Sequence, residues 1–263
     1  MKRGLFVTGT DTGVGKTFVA AGLAAAFRKE RVSIGVMKPV ETGCRKRRGQ
    51  RIPQDGLFLM KMAGSADSIE EVVPYRLSAP LAPRVAAELE GVEIRLACIE
   101  RAYRRIASHV SVMLVEGAGG LLVPLTRKLY MVDLVERLGL PVLLVARAGL
   151  GTLNHTLLSL SCLAERGIPV AGIVLNDADG MRDPSKRSNP EILREACRIP
   201  ILGQIPHAKA LRMASSHADA AASWVGRRIC IAEVLRRIDS AEPPRLSGPS
   251  LFFNGAWTEN EHR

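Results

Sequence analysis

Aromatic residues make up only 4% of this 263-residue chain, too few for the stacked platform on which single-stranded nucleic acids are bound. Long apolar runs are missing too: none approaches the roughly 18 residues that a membrane-spanning helix requires. The chain begins Met1-Lys2-Arg3, as a secretory leader can, but Thr8, Thr10, Asp11 and Lys16 interrupt the apolar stretch that follows. These features lead us to expect a cytoplasmic protein with no membrane partner. The five cysteines, Cys44, Cys98, Cys162, Cys197 and Cys230, are scattered, odd in number and never spaced C-x-x-C, which argues against a disulfide framework or a zinc site. Three of them stand among apolar neighbours and are expected to be buried thiols. His109, His155, His207, His217 and His262 are dispersed without metal-ligand spacing, and no Gly-x-Ser-x-Gly elbow is present.

Acidic residues are outnumbered, 26 against 37 Lys and Arg, for a formal charge of +11. Such an excess raises nucleic acid as a partner. Part of it, however, is concentrated in Arg45, Lys46, Arg47, Arg48 and Arg51, which read as one loop, and no recognition-helix signature accompanies it. The expectation is a solvated basic loop that attracts anionic nucleotide, with no nucleic acid partner.

What is present is a globular balance, 47% hydrophobic and 24% charged. Residues 1–240 read as a single domain. From 241 to 263 the composition shifts to Pro243, Pro244, Ser247, Gly248 and Pro249, and a flexible tail is expected, although Phe252, Phe253 and Trp257 are residues that tend to pack. Apolar strands are predicted at 5–7, 32–40, 110–115, 141–145, 170–175 and 199–205, with helices at 17–28, 55–63, 94–108 and 153–165. Near-continuous apolar strands alternating with helices imply an α/β, three-layer fold with a mostly parallel sheet and helices on both faces. Ligands collect beyond the carboxyl ends of such strands.

The strongest motif, Gly9-Thr10-Asp11-Thr12-Gly13-Val14-Gly15-Lys16-Thr17, lies between a strand and a helix, as a phosphate-binding loop must. Backbone N–H groups would turn around phosphate oxygens, Lys16 would reach the terminal phosphates, and the Thr17 hydroxyl would ligate Mg2+. Five residues separate Gly9 from Gly15, where the common pattern has four. Glu116 ends an apolar run, where phosphate-loop proteins place the acid that completes the magnesium shell. Gly117, Gly119 and Gly120 follow it and permit close approach. Asp55, preceding a helix, is either a second ligand or an N-cap. Lys38 closes the second strand and could hold an oxyanion against the terminal phosphate. Asn176 either reads a purine edge or makes an Asn-Asp turn.

Together with Met37-Lys38-Pro39-Val40, Val115-Glu116-Gly117-Ala118-Gly119-Gly120, Leu150-Gly151-Thr152-Leu153-Asn154-His155 and Asn176-Asp177, the loop resembles the dethiobiotin synthetase family over about residues 4–207. The resemblance implies that 7,8-diaminopelargonic acid and CO2 form a carbamate, which attacks the terminal phosphate of ATP. The carbamic-phosphoric anhydride so formed is captured by the neighbouring amine, giving dethiobiotin, ADP and phosphate. It implies that Thr12, Lys16 and Lys38 orient the reacting groups, that Thr42 lies near the diamine, and that Thr17, Asp55 and Glu116 hold magnesium. Gly13, Val14, Gly15, Lys16 and Thr17, with Glu116, Gly117, Ala118, Gly119, Asn176, Pro206, His207 and Ala208, would contact the nucleotide. Leu150, Gly151 and Asn154 would meet substrate and a partner subunit, implying a homodimer.

Two departures stand out: the basic stretch between Thr42 and Asp55, and Lys209, Leu211 and Arg212 where the family has an acid. The rivals are a partition-type ATPase switch with a basic surface, whose signature lysine is replaced here by Asp11, and a cobyrinic acid amidase-like synthetase domain. The latter carries a further glutamine-hydrolysing domain for which no room is expected.

Overall fold

The structure is a computed structural model, and it describes residues 3–207, 220 and 224–246. Six strands form the main sheet: β1 (Gly4–Gly9), β2 (Ile34–Met37), β7 (Val112–Glu116), β8 (Val142–Arg147), β9 (Val170–Asn176) and β10 (Ile201–Ile205). Their order is β10-β9-β8-β1-β7-β2, and every pairing is parallel. β1, β2, β7 and β9 are buried at every residue, the pattern of a sheet covered on both faces. Because all six run the same way, their carboxyl ends lie along one edge, and β1 sits between β7 and β8 at its centre.

The helix after β1, α1 (Lys16–Lys29), is rich in alanine and buried on nearly all sides. Small side chains let it lie close to the sheet, α2 (Gln54–Ala63) and the last described helix, α9 (Ile231–Ser240). A Cβ on Gly22 of α1 would fall 2.1 Å from Val225, so that glycine marks a close approach. α5 (Leu96–Ser108) buries Ile99, Tyr103 and Ile106 along one stripe, and α7 (Thr152–Glu165) buries Thr152, Thr156, Leu160 and Leu163.

Three expectations need correction. The predicted strand 32–40 is two strands: β2 stops at Met37, and β3 (Val40–Glu41) pairs instead with β6 (Tyr75–Arg76) in a separate sheet. The Lys38 amide turns to Val72 O, and Pro39 has no N–H to continue the ladder. The basic segment is a hairpin and not a loop, with β4 (Arg45–Arg47) antiparallel to β5 (Gln50–Ile52). Arg48 and Gly49, at φ 50 and 79, make its two-residue turn. Two cysteines rather than three are fully buried, Cys44 and Cys197, while Cys98 and Cys162 are half-buried.

Five described helices lie outside the expected set: α3 (Ile69–Val72), α4 (Pro83–Leu89), α6 (Met131–Leu138), α8 (Ser185–Ala196) and α9. Residues 241–246 run against the core, with the Val170 amide bonded to Glu242 O and a bridge from Cys197 to Leu246. Residues 247–263, with Phe252, Phe253 and Trp257, lie outside the described residues, as do Ala208, Lys209, Leu211 and Arg212.

Candidate active site

The loop from Gly9 to Thr17 closes over the end of β1. Gly15 adopts φ 93, and a Cβ there would meet the Asn176 amide at 2.1 Å, so the position requires glycine twice over. Asn176 is 5% exposed and donates from Nδ2 to Val14 O at 2.9 Å. It therefore braces the loop from the end of β9. Gly120 comes so near from the other side that a Cβ on it would lie 3.2 Å from Gly9 O.

Below the loop, four chain segments converge. Glu116, the last residue of β7, is 1% exposed. Its Oε1 accepts from the Thr17 hydroxyl at 2.7 Å and from Lys38 Nζ at 2.5 Å. Lys38 also donates to Asp55 Oδ2 at 3.0 Å. The break after β2 thus turns Lys38 inward, and the first turn of α2 delivers Asp55 to it. Asp55 is the second residue of α2, and the cap position is Pro53. The free amides of Asp55 and Gly56 are taken by Glu41 from β3, at 3.1 and 2.9 Å.

Burial works against the Lys38 ammonium, but the Glu116 and Asp55 carboxylates outweigh it and hold the pKa above the ordinary lysine value. Lys16 goes the other way: burial, with the Lys38 cation adding to it, lowers its pKa to about 8. Its Nζ rests on Asp11 O at 2.9 Å. Burial likewise pushes Glu41 up to about 7.

Glu116 Oε2 is buried and has no hydrogen-bond partner among the described residues. Such an orphan oxygen is costly unless something occupies its lone pairs. Two carboxylates, a hydroxyl and adjacent space for phosphate are the hard oxygen donors Mg2+ takes, usually with only one or two carboxylates. The residues fit that ion. Among the described residues no group of three His, Cys, Asp or Glu forms a dedicated all-protein metal cage.

Thr12 and Gly13 are exposed at the rim, and Thr42 is half-buried beside Glu41. Thr12, Gly13, Val14, Arg147, Asn176 and Lys186 line part of a pocket of about 270 Å³ beside the loop. Gly117 is buried, its amide on Val7 O, while Ala118 and Gly119 are half-buried. Pro206 is exposed, and the His207 ring abuts Gly180, with Nδ1 3.3 Å from Asp177 O. Leu150, Gly151 and Asn154 are not brought into the cluster and stand exposed at the start of α7.

A second cavity, of about 290 Å³, joins Thr10, Asp11 and Thr12 to Leu122, His155 and Leu158. Leu122, Leu150 and Leu158 are all more than half exposed.

Sequence reasoning missed three residues. Glu41 carries the cap described above. Arg147 donates to Asp11 at 2.6 Å. Lys186 holds Asp177, Asp179 and Met181 O, at 2.8, 2.8 and 2.7 Å. No local motif marks any of them: Arg147 acts on a segment 136 positions away and Glu41 on one 14 positions away, and Lys186 ties together its own preceding loop without a recognisable spacing.

A family profile described as an AAA domain matches residues 3–215. The chain is 41% identical to the ATP-dependent dethiobiotin synthetase BioD of Thermodesulfovibrio yellowstonii, over 79% of this chain and 90% of that one. It is 49% identical to the protein of the same name from Anaeromyxobacter dehalogenans, over 76% and 88%. Among solved structures it is similar to the septum site-determining protein MinD complexed with Mg-ADP from Pyrococcus horikoshii, at 15% identity and TM-score 0.53, covering 91% of this chain and 96% of that one. That last likeness concerns the fold alone.

Proposed function

The chain belongs to the dethiobiotin synthetase family, and from that premise we propose how its own residues divide the work. It is an ATP-dependent ligase that converts 7,8-diaminopelargonic acid, CO2 and ATP to dethiobiotin, ADP and phosphate. The observation that carries the assignment of residues is the convergence of Lys38 and Thr17 on one oxygen of Glu116 while the other oxygen stays buried and unpaired.

An amine of the diamine adds to CO2 and loses a proton, giving a carbamate. A carbamate oxygen forms a bond to the terminal phosphorus of ATP, and the bond to ADP breaks. The second amine then attacks the carbamoyl carbon, loses a proton and expels phosphate, closing the ring. The protein needs no nucleophile of its own for these steps, only positioning and positive charge. Loop amides at residues 13–17 cradle the phosphates, with Lys16 on the terminal ones. Lys38, kept protonated by its carboxylates, holds the carbamate, and Thr12 and Thr42 orient it and the diamine. Thr17, Asp55 and Glu116 would hold Mg2+, which when bound supplies neutralisation of the polyphosphate charge.

Gly117, Ala118, Gly119, Asn176, Pro206, His207 and Ala208 are proposed for the nucleotide. For Asn176 the bond to Val14 supports a bracing part as well. The exposed Leu122, Leu150 and Leu158, next to Asn154, support a homodimer in which this face meets its copy and closes over the substrate. Residues 1–240 are read as one catalytic domain and 241–263 as a tail. A cytoplasmic setting suits ATP as co-substrate, and no helix among the described residues is long and apolar enough to cross a membrane.

Incubation with ATP, magnesium, bicarbonate and 7,8-diaminopelargonic acid should yield dethiobiotin by mass spectrometry. Lys16→Ala should lower turnover by about two orders of magnitude or more, the scale of one positioned electrostatic group. A folded Lys16→Ala protein with near-normal turnover would remove the loop lysine from the mechanism.

A further inference from the structure

Arg147 ends β8 beside the phosphate loop, and its Nη2 donates to Asp11 Oδ2 at 2.6 Å. The other oxygen of Asp11 accepts from the Thr12 amide at 2.7 Å. One carboxylate therefore collects a guanidinium and a loop N–H, the two donors best suited to phosphate oxygens. Arg147 and Thr12 also share the pocket of about 270 Å³ that opens beside the loop, along with Gly13, Val14 and Asn176. The pair is far from locked: its side chains are 39% and 48% exposed, and ion pairs this open to water are weak. Two other described cations at the loop and its pocket are already engaged, Lys16 on Asp11 O and Lys186 by Asp177 and Asp179.

We infer that Arg147 is a further nucleotide-binding residue, which leaves Asp11 for the polyphosphate when a nucleotide enters the loop, Asp11 being the internal anion that parks it. A planar guanidinium can grip a phosphate through two hydrogen bonds, and a multiply charged polyphosphate outbids one exposed carboxylate. The inference rests on the reading of residues 9–17 as the ATP site. It makes Asp11 a competitor of the ligand, so the two partners of one ion pair should act on affinity with opposite signs. A purely structural tether would give the same sign, since breaking it from either side loosens the same loop.

The test is calorimetric titration of ATP into the full chain and into Arg147→Gln, Asp11→Asn and the double variant, with Lys16→Ala alongside. Asparagine keeps an oxygen for the Thr12 amide while losing the charge. Arg147→Gln should weaken ATP binding about tenfold, the scale of one charge-assisted hydrogen bond. Asp11→Asn should tighten it by about two- to fivefold, the range set by an exposed pair. In the Arg147→Gln background the gain from Asp11→Asn should shrink, which separates release of the arginine from a general loss of negative charge. Weakening by both single variants, or no effect of Arg147→Gln while Lys16→Ala abolishes binding, would overturn this assignment and leave the ATP site standing. Failure of the unaltered chain to bind ATP would overturn both.

Discussion

Lys38 shows how much one side chain is asked to do. It is 5% exposed and lies against two carboxylates, one of them almost wholly buried. Removing one member of a buried charge cluster leaves the rest uncompensated, at a cost of about 3–5 kcal/mol. Lys38→Met should therefore lose diamine-dependent phosphate release by about two orders of magnitude and also melt several degrees lower. Added magnesium should raise the melting temperature of this variant more than that of the unaltered protein, because a cation then meets the stranded Glu116 and Asp55. Calorimetric melts with and without the ion check this; equal shifts in both proteins would separate Lys38 from the proposed metal ligands. The residue was legible as a lysine at a strand end. Its charge state was not, since that depends on Glu116, 78 positions away.

The elements do their work through their ends. α2 begins without a capping side chain of its own, and Glu41, from a two-residue strand, supplies both missing acceptors. Asp55 is held at Lys38 by the same arrangement. Glu41→Ala should cost about 1–2 kcal/mol, the value of a helix cap, and Glu41→Gln less, since an amide oxygen still accepts one N–H. Urea unfolding measures both; an alanine variant as stable as the parent would mean that α2 keeps its place by packing alone. This cap could not be read from the sequence, because the usual signal is a residue adjacent to the helix and Glu41 is 14 positions before Asp55. The split of the predicted second strand has a related cause. Continuous apolar residues mark a buried strand, but they do not say where Pro39 and a diverted Lys38 amide pass the chain to another sheet.

At the scale of the molecule, the six parallel strands set the phosphate loop and the segments that follow β2, β7, β8 and β9 along one edge, while Leu150, Gly151 and Asn154 stay outside the cluster. A homodimer joining them to a partner's loop predicts complementation. Lys16→Ala and Asn154→Ala chains, each inactive, should regain about a quarter of the normal rate when unfolded and refolded together, because statistical reassortment restores one intact site in half of the dimers. A mixture no more active than its components would place the whole site within one chain.

Contiguous residues determined the loop, the apolar strands and the two- or three-residue motifs at their ends. Glycines at set spacing and unbroken apolar runs are local requirements of backbone and burial, visible without any fold. The meeting of Glu116 with Lys38 and Thr17, the orphan carboxylate oxygen, the cap from Glu41 and the pairing of Arg147 with Asp11 were decided only by the tertiary structure. Each joins chain segments brought together by strand order, and charges acting through space depend on that order and not on distance along the chain.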